Sequence, residues 1–561
     1  MKFPVGLLPE DKVNKLREDI LDAVKDKYAE KVEILELKWP RHVGFKIADF
    51  SIYVDFFKYL KKLGFAQPIL VTGIDWPDKN IIELVYHINR MDSPIVAWVK
   101  AELDRDNPKV PSITPFWRAA NWFERETYEM LGITFEGHPD LRNFLLPHDW
   151  NLGPPLRKDF KIPMDPYGPD YPWREQIATY YNPYKEDIKV ERDTVYYLHM
   201  GPQHPAQHGL YRVILKMDGD TILEAWPDFG YIHRGIEKLA EIKDYEKIIV
   251  LTDRICYVAA LSWNLVYSMA VEDLTGIEVP EYAVWMRTLL AELQRVVSHL
   301  IWLSAFSGDI GTFHSMFLYP MREREKFLDL LDELTGARLL YSYIRPGGMG
   351  VKYHSDSIPE GWFNKLRERI KDFWKYFEEY RDLTLSNETF HLRTHNVGKI
   401  KGMAAIEAGA TGPVLRAAGI EYDVRKVDKY LKYGEVDFKI PVGKEGDAYD
   451  RWWVRVREIE EAIHIIEQIL DLMPKSGELR TKVTPAMYRK KGEGFARVED
   501  PRGEAVIYIV GTGGQAPYRL RIRSPTLANF QLIHYITRGA RLADYPVITG
   551  SLDSCIPEID R

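Results

Sequence analysis

Thr252-Asp-Arg-Ile-Cys256-Tyr257-Val-Ala259 is the stretch from which the rest of the chain is read. A Cys-x-x-Cys turn chelates one metal because its two thiolates converge on a single point. Here the second position is Ala259, so the turn holds half of such a pair. The chain ends with the same pattern, Gly550-Ser-Leu-Asp-Ser-Cys555-Ile-Pro-Glu558-Ile-Asp-Arg561, with Glu558 in place of the second thiol. Cys256 and Cys555 are the only 2 cysteines. Working outward, the first turn is preceded by a His-rich loop, Gly201-Pro-Gln-His204-Pro-Ala-Gln-His208-Gly.

The bulk composition removes several classes. A chain of 561 residues exceeds one hydrophobic core, so two or more domains are expected. A net charge of −7 argues against nucleic acid as the partner. Two cysteines supply no disulfide framework and suit a reducing compartment. The N-terminus has no signal-peptide apolar core. The longest apolar run, Tyr257 to Val271, is short and carries Ser262, Asn264 and Ser268, so it is not expected to span a membrane. Scarce Gln and Cys beside abundant Lys and Glu lean towards a thermophilic source.

In chain order, residues 1–160 read as an α/β (α+β) domain. Leu7–Ala29 has helical spacing with Asp11 as N-cap, and strand-like runs follow at Phe45–Val54, Pro68–Ile74, Ile81–Ile88 and Ile95–Leu103. The segment Trp122-Phe-Glu124-Arg125-Glu126-Thr-Tyr-Glu129-Met-Leu-Gly132 is a charged helix stopping at Gly132, which reads either as a docking surface or as a solvated face. Residues 161–193, rich in Pro and Tyr, form the expected linker. Residues 194–561 open with a hairpin at Asp218-Gly219, then become mainly helical. Glu281–Phe306, Met321–Leu334, Glu360–Leu383 and Arg455–Met473 carry apolar stripes that imply a bundle. The glycines at Arg345-Pro-Gly347-Gly348 and Gly511-Thr-Gly513-Gly514 lack the strand–loop–helix context of a nucleotide site and read as turns.

These motifs together resemble a known family. Glu124–Gly132 and Pro154-Pro-Leu-Arg157-Lys158-Asp159-Phe160 look like the small hydrophilic subunit of respiratory complex I. The His-rich loop, Tyr231-Ile-His-Arg234-Gly-Ile-Glu237, Arg345-Pro-Gly-Gly, Glu499-Asp-Pro-Arg502-Gly-Glu504 and Arg519-Leu-Arg-Ile-Arg-Ser-Pro-Thr resemble its large catalytic subunit, which is similar to the large subunit of membrane-bound [NiFe] hydrogenases. The resemblance implies a hydrogenase-large-subunit-like second domain with small β-sheets, fused to the first.

Single residues then separate the branches of the family. Hydrogenases of this type hold nickel and iron on four thiolates. With Ala259 and Glu558 at two of the four places, a four-thiolate nickel site is not available. Complex I members line a quinone cavity with a His, a Tyr and an Asp, and the matching positions are His208, Tyr257 and Asp309. An imidazole and a phenol can each give a proton to a reduced acceptor. Complex I, however, generally lacks both cysteines, and it usually has a His where Gly336-Ala-Arg338-Leu-Leu340 has Leu340. The pattern most resembles archaeal ferredoxin-linked complexes that reduce sulfane sulfur.

The resemblance therefore implies an oxidoreductase subunit on the cytoplasmic side of the membrane, peripheral to membrane-embedded pump subunits. Its electrons come from a ferredoxin-type donor through a [4Fe-4S] cluster in an adjacent partner. No nickel and no cluster is expected on this chain, since two cysteines cannot supply about four thiolate ligands. His204, Arg234 and Arg345 are expected to face the partner's cluster. Cys256 and Cys555 are expected to share one cavity, with Arg502 matching the arginine above the hydrogenase metal and holding an anionic substrate. Quinone reduction and a non-catalytic coupling role remain open alternatives, as does the reading of both cysteines as inert core residues.

Overall fold

A computed structural model describes residues 8–161, 194–202, 209–350 and 357–561. The expected linker 161–193 lies outside these from residue 162 onward, and so do His204 and His208.

The N-terminal strands are apolar on both faces, the pattern of strands covered on two sides. Their sheet runs in the order Val32–Leu35, Val43–Ile47, Val96–Asp104, Ile81–Asn89, Gln67–Trp76. Val43–Ile47 pairs parallel to Val96–Asp104, and the remaining pairs are antiparallel. One face is covered by the helices Glu10–Tyr28 and Tyr53–Lys62 through Val13, Ile20, Val24, Phe56, Phe57 and Leu60. The other face, with Ile69, Val85, Val96 and Trp98, packs on Phe495, Val506, Tyr508 and Val510 of a second sheet, formed by Lys491–Asp500, Gly503–Thr512 and Arg519–Arg523. The two parts of the chain thus meet sheet on sheet, in an apolar layer rimmed by a Trp76–Tyr518 stack at 4.6 Å.

The second part is built on the helix Glu281–Ile310, whose 30 residues span about 45 Å. It packs against Phe313–Thr335 and Ala448–Leu472, with Trp362–Leu385 added outside. Ala260–Thr275 is buried almost all round, which suits its apolar sequence. Among the described residues no helix is long and apolar enough to cross a membrane. The Asp218-Gly219 hairpin joins Arg212–Asp218 to Thr221–Asp228, and Ile344–Arg345 pairs with Gly348–Met349 around the expected glycine turn.

Three local expectations are corrected. The first helix begins at Glu10 with Pro9 at its N-cap, and Asp11 sits inside the first turn, where its charge favours the helix dipole. The run Phe45–Val54 is strand only to Ile47; Asp49 accepts a hydrogen bond from Ser51 N and starts a 3-10 turn that leads into the helix Tyr53–Lys62. The charged helix Ala120–Leu131 is no solvated face. Glu124, Arg125, Glu126 and Glu129 are all buried. Glu129 accepts the backbone N–H of Phe144, Leu145 and Leu146 at 2.6–3.1 Å, and Glu126 pairs with Arg521 of the second part at 2.8 Å. Its docking partner is this same chain.

Candidate active site

The Thr252–Ala259 segment is held from three sides. Asn264 Nδ2 donates to Thr252 Oγ1 at 2.9 Å. Asp253 accepts from the backbone N–H of Ser342 at 3.2 Å and from its hydroxyl. Gln294, on the long helix, donates to the Val258 carbonyl at 2.7 Å. Ala259 N closes the turn on the Cys256 carbonyl at 3.2 Å. Cys256 is thereby presented inward and fully buried.

The C-terminal segment arrives from the opposite side. After the helix Tyr545–Ser551 the chain turns through Asp553, at φ 56°, and Cys555 precedes the short helix Ile556–Asp560. The ligand atoms of Cys256, Cys555 and Glu558 lie within 4.8 Å of one another, and all three residues are buried. Glu558 Oε2 accepts from Thr526 Oγ1 at 2.6 Å and Ser524 Oγ at 3.1 Å. Its Oε1 has no hydrogen-bond partner and stands 4.0 Å from the Arg502 guanidinium.

Arg502 sits at the tip of the hairpin between Lys491–Asp500 and Gly503–Thr512. It donates to the Asp553 carbonyl and carboxylate, both at 3.0 Å, and to Ser298 Oγ at 3.3 Å. Burial alone would lower its pKa; Asp553, the two thiols and Glu558 outweigh this and hold it above its ordinary value, so the cation is secure. For Cys256, burial and a hydrogen bond with Cys555 push the thiol well up, while Arg502 pulls it down. The resting site is therefore a neutral thiol beside a fixed cation.

Asp309 stands near the end of the long helix, and burial raises its carboxyl to about 8. It shares a cavity of about 20 Å³ with Asp553, Ser554 and Trp302, enough for one water. Ser554 Oγ and Asp553 Oδ2 have no hydrogen-bond partner there. Gly550 makes the approach feasible, since a Cβ on it would meet Asp309 Oδ2 at 2.0 Å. Tyr257 is partly exposed, and burial, followed by the nearby thiols, raises its phenol.

The two arginines expected to face a partner flank the outer side of this segment. Arg234 is exposed and donates to the Arg254 carbonyl. Arg345 donates to the Ser342 carbonyl at 3.0 Å and lines a polar cleft of about 740 Å³ with Glu246, Arg480 and Lys482. The structure thus gathers Cys256, Cys555, Arg502 and Tyr257 around one centre, places Asp309 in the adjoining cavity with Asp553 and Ser554, and sets Arg234 and Arg345 beside the Thr252–Ala259 segment. Sequence reasoning omitted Glu558, Asp553 and Ser298 from the site. Only Glu558 left a signal, as the carboxylate at the place of a thiol.

Two thiols, one carboxylate and the bare methyl of Ala259 do not fit a four-thiolate nickel–iron group. The helical bundle fused to an α/β domain is the architecture of an oxidoreductase subunit of the complex I type. Three family descriptions match in tandem: respiratory-chain NADH dehydrogenase 30 Kd subunit over residues 48–166, nickel-dependent hydrogenase over 234–308, and respiratory-chain NADH dehydrogenase 49 Kd subunit over 309–491 and 479–561.

The chain belongs to the family of fused C/D subunits of complex I-type NADH-quinone oxidoreductases. It is 34% identical to the fused C/D polypeptide of the NADH-quinone oxidoreductase of Nitrosospira multiformis, over 85% of this chain and 83% of that one. It is 43% identical to the separate D polypeptide of the Bacillus cytotoxicus enzyme of the same name, over 65% of this chain and 98% of that one. Among solved structures it is similar to a chain of the membrane-bound sulfane sulfur reductase, an archaeal respiratory membrane complex. The identity there is 40%, with a TM-score of 0.62 over 66% of this chain and 99% of that one.

Proposed function

We propose that this chain is the catalytic-module subunit of a membrane-bound, ion-pumping respiratory complex that passes electrons from a ferredoxin-type donor to sulfane sulfur. The observation that carries the reading is the meeting of Cys256 and Cys555, with Glu558, beneath Arg502. Neither cysteine is needed to bind quinone, whereas a thiol pair beside a fixed cation suits an anionic sulfur chain. The similar archaeal complex is named for sulfane sulfur reduction. The subunit lies peripherally, against a partner bearing a [4Fe-4S] cluster near His204, Arg234 and Arg345, and binds no nickel or cluster itself.

The chemistry balances without a metal. Glu558, whose carboxylate lies within 4.8 Å of the thiols, takes the proton of Cys256. The thiolate attacks a terminal sulfur of the polysulfide and breaks that sulfur's bond to its neighbour, forming a Cys–S–S⁻ persulfide and releasing a polysulfide dianion one sulfur shorter. Two electrons from the partner's cluster and one proton then cleave the persulfide S–S bond, regenerating the Cys256 thiolate and releasing HS⁻. Arg502 holds the anion, Cys555 donates a hydrogen bond to the persulfide, and Tyr257, His208 and Asp309 supply the proton.

The test offers reduced ferredoxin with polysulfide, quinone and protons separately to the purified complex. The Cys256→Ser, Cys555→Ser double variant is expected to lose polysulfide turnover while the cluster's EPR signal stays. Unchanged turnover would assign reduction to the partner's cluster and make the thiols spectators. A second reading, quinone reduction, is favoured by the Tyr257 phenol beside the thiols and by the names of the C/D relatives. Turnover with quinone alone selects it.

A further inference from the structure

His391 and His395 stand one helical turn apart at the end of the helix Glu388–Thr394, on a surface remote in sequence from every residue of the cysteine site. The Leu385 carbonyl, 2.8 Å from His391 Nε2, can only accept, so Nε2 carries the proton. His391 Nδ1 is left as the acceptor, and His395 Nε2 donates to it at 3.1 Å. The two rings are nearly parallel, at 10°. Two imidazole nitrogens bound to one ion at about 2.0–2.1 Å, with angles between about 90° and 110°, lie about 2.9–3.4 Å apart. The observed separation falls inside that bite.

The surroundings are those of a pre-oriented ligand pair. A ligating histidine typically donates its other N–H to a carbonyl or carboxylate, as His391 does here. Tyr449 stacks on the His395 ring at 4.2 Å. The turn that follows is fixed by Asp447, whose carboxylate accepts from Asn396 N at 2.8 Å and from Asp450 N at 3.0 Å. Arg393, between the two histidines, pairs with Asp544 at 2.9 Å and anchors the helix end. The His395 ring is solvent-exposed, so an ion bound there keeps water in its remaining positions and costs no burial of charge.

We propose that His391 and His395 chelate a borderline divalent transition-metal ion of the Zn²⁺ class, the chemistry imidazole pairs favour. The ion takes the place of the proton that His395 Nε2 now directs at His391 Nδ1, and that proton moves to His395 Nδ1. The ion thereby links the helix end to the platform carried by Tyr449 and Asp447.

The test uses the full-length chain carrying Cys256→Ser and Cys555→Ser, so that the buried thiols contribute no affinity, titrated with ZnCl₂ against a chromophoric chelator. His391→Gln and His395→Gln are each expected to remove about one equivalent of Zn²⁺, or to weaken it about tenfold or more. Melting temperatures in EDTA should stay unchanged, showing that both variants fold. Failure of the parent to bind Zn²⁺ overturns the proposal. Full stoichiometry and affinity in either histidine variant overturns it equally.

Discussion

At the residue scale, the decisive feature is which groups are charged. Arg502 stays cationic, Cys256 stays a thiol, and Asp309 stays protonated to about pH 8 because it is taken out of water with little to balance its charge. Asp309 gives a measurable sign. A carboxyl whose folded pKa is raised contributes stability that is complete below its unfolded pKa and is lost as pH rises through the folded value, here between about 4 and about 8. Asp309→Asn is expected to remove that loss and flatten the dependence of melting temperature on pH over this window. A wild-type slope retained in the variant would assign it to other raised carboxyls, among them Glu124 and Glu129 at about 8, Glu499 at about 7 and Asp560 at about 6. Glu558 shows how a site residue escapes a motif reading: it holds the place of a ligand, but its type does not announce a role until Arg502 and the thiols stand beside it.

At the element scale, the site depends on a hairpin tip pressed against another backbone. Gly503 has φ 135°, and a Cβ there would meet Thr411 Cγ2 at 2.7 Å and Gly412 N at 2.8 Å. The tip sits this close so that Arg502 reaches Asp553, while Asn529 holds the Arg502 carbonyl at 3.0 Å. Gly503→Val is expected to cost about 1–3 kcal/mol by overpacking, read as a shift in the urea midpoint. Turnover should fall further than stability accounts for, because the guanidinium leaves the thiols. The helical elements were legible from periodicity, since 3.6-residue spacing survives any tertiary context. The strand expected over Phe45–Val54 ends at Ile47, because Tyr53 already belongs to a helix that packs on the sheet through Phe56, Phe57 and Leu60.

At the scale of the whole molecule, the two parts are joined by an apolar sheet-on-sheet layer and by a buried ionic knot. Arg521 pairs with Glu126 at 2.8 Å and Glu237 at 3.2 Å, and Arg519 pairs with Glu237 at 2.8 Å. All four side chains are nearly inaccessible. Removing one partner leaves a buried charge uncompensated, so Arg521→Ala is expected to destabilise the chain by about 3–5 kcal/mol. The loss should appear in denaturant unfolding as separation of the N-terminal transition from the rest; a single unshifted transition would refute the coupling. The sequence by itself determined the long helices, the division into an α/β part and a helical part, and the loss of two of four thiols, because periodicity and residue identity are local properties. Only the tertiary structure decided that Cys256 and Cys555 meet, that Glu558 and Asp553 complete their surroundings, and that the charged helix Ala120–Leu131 faces inward. Those facts depend on long-range packing and on what each charge finds opposite it when water is removed, and no spacing along the chain encodes either.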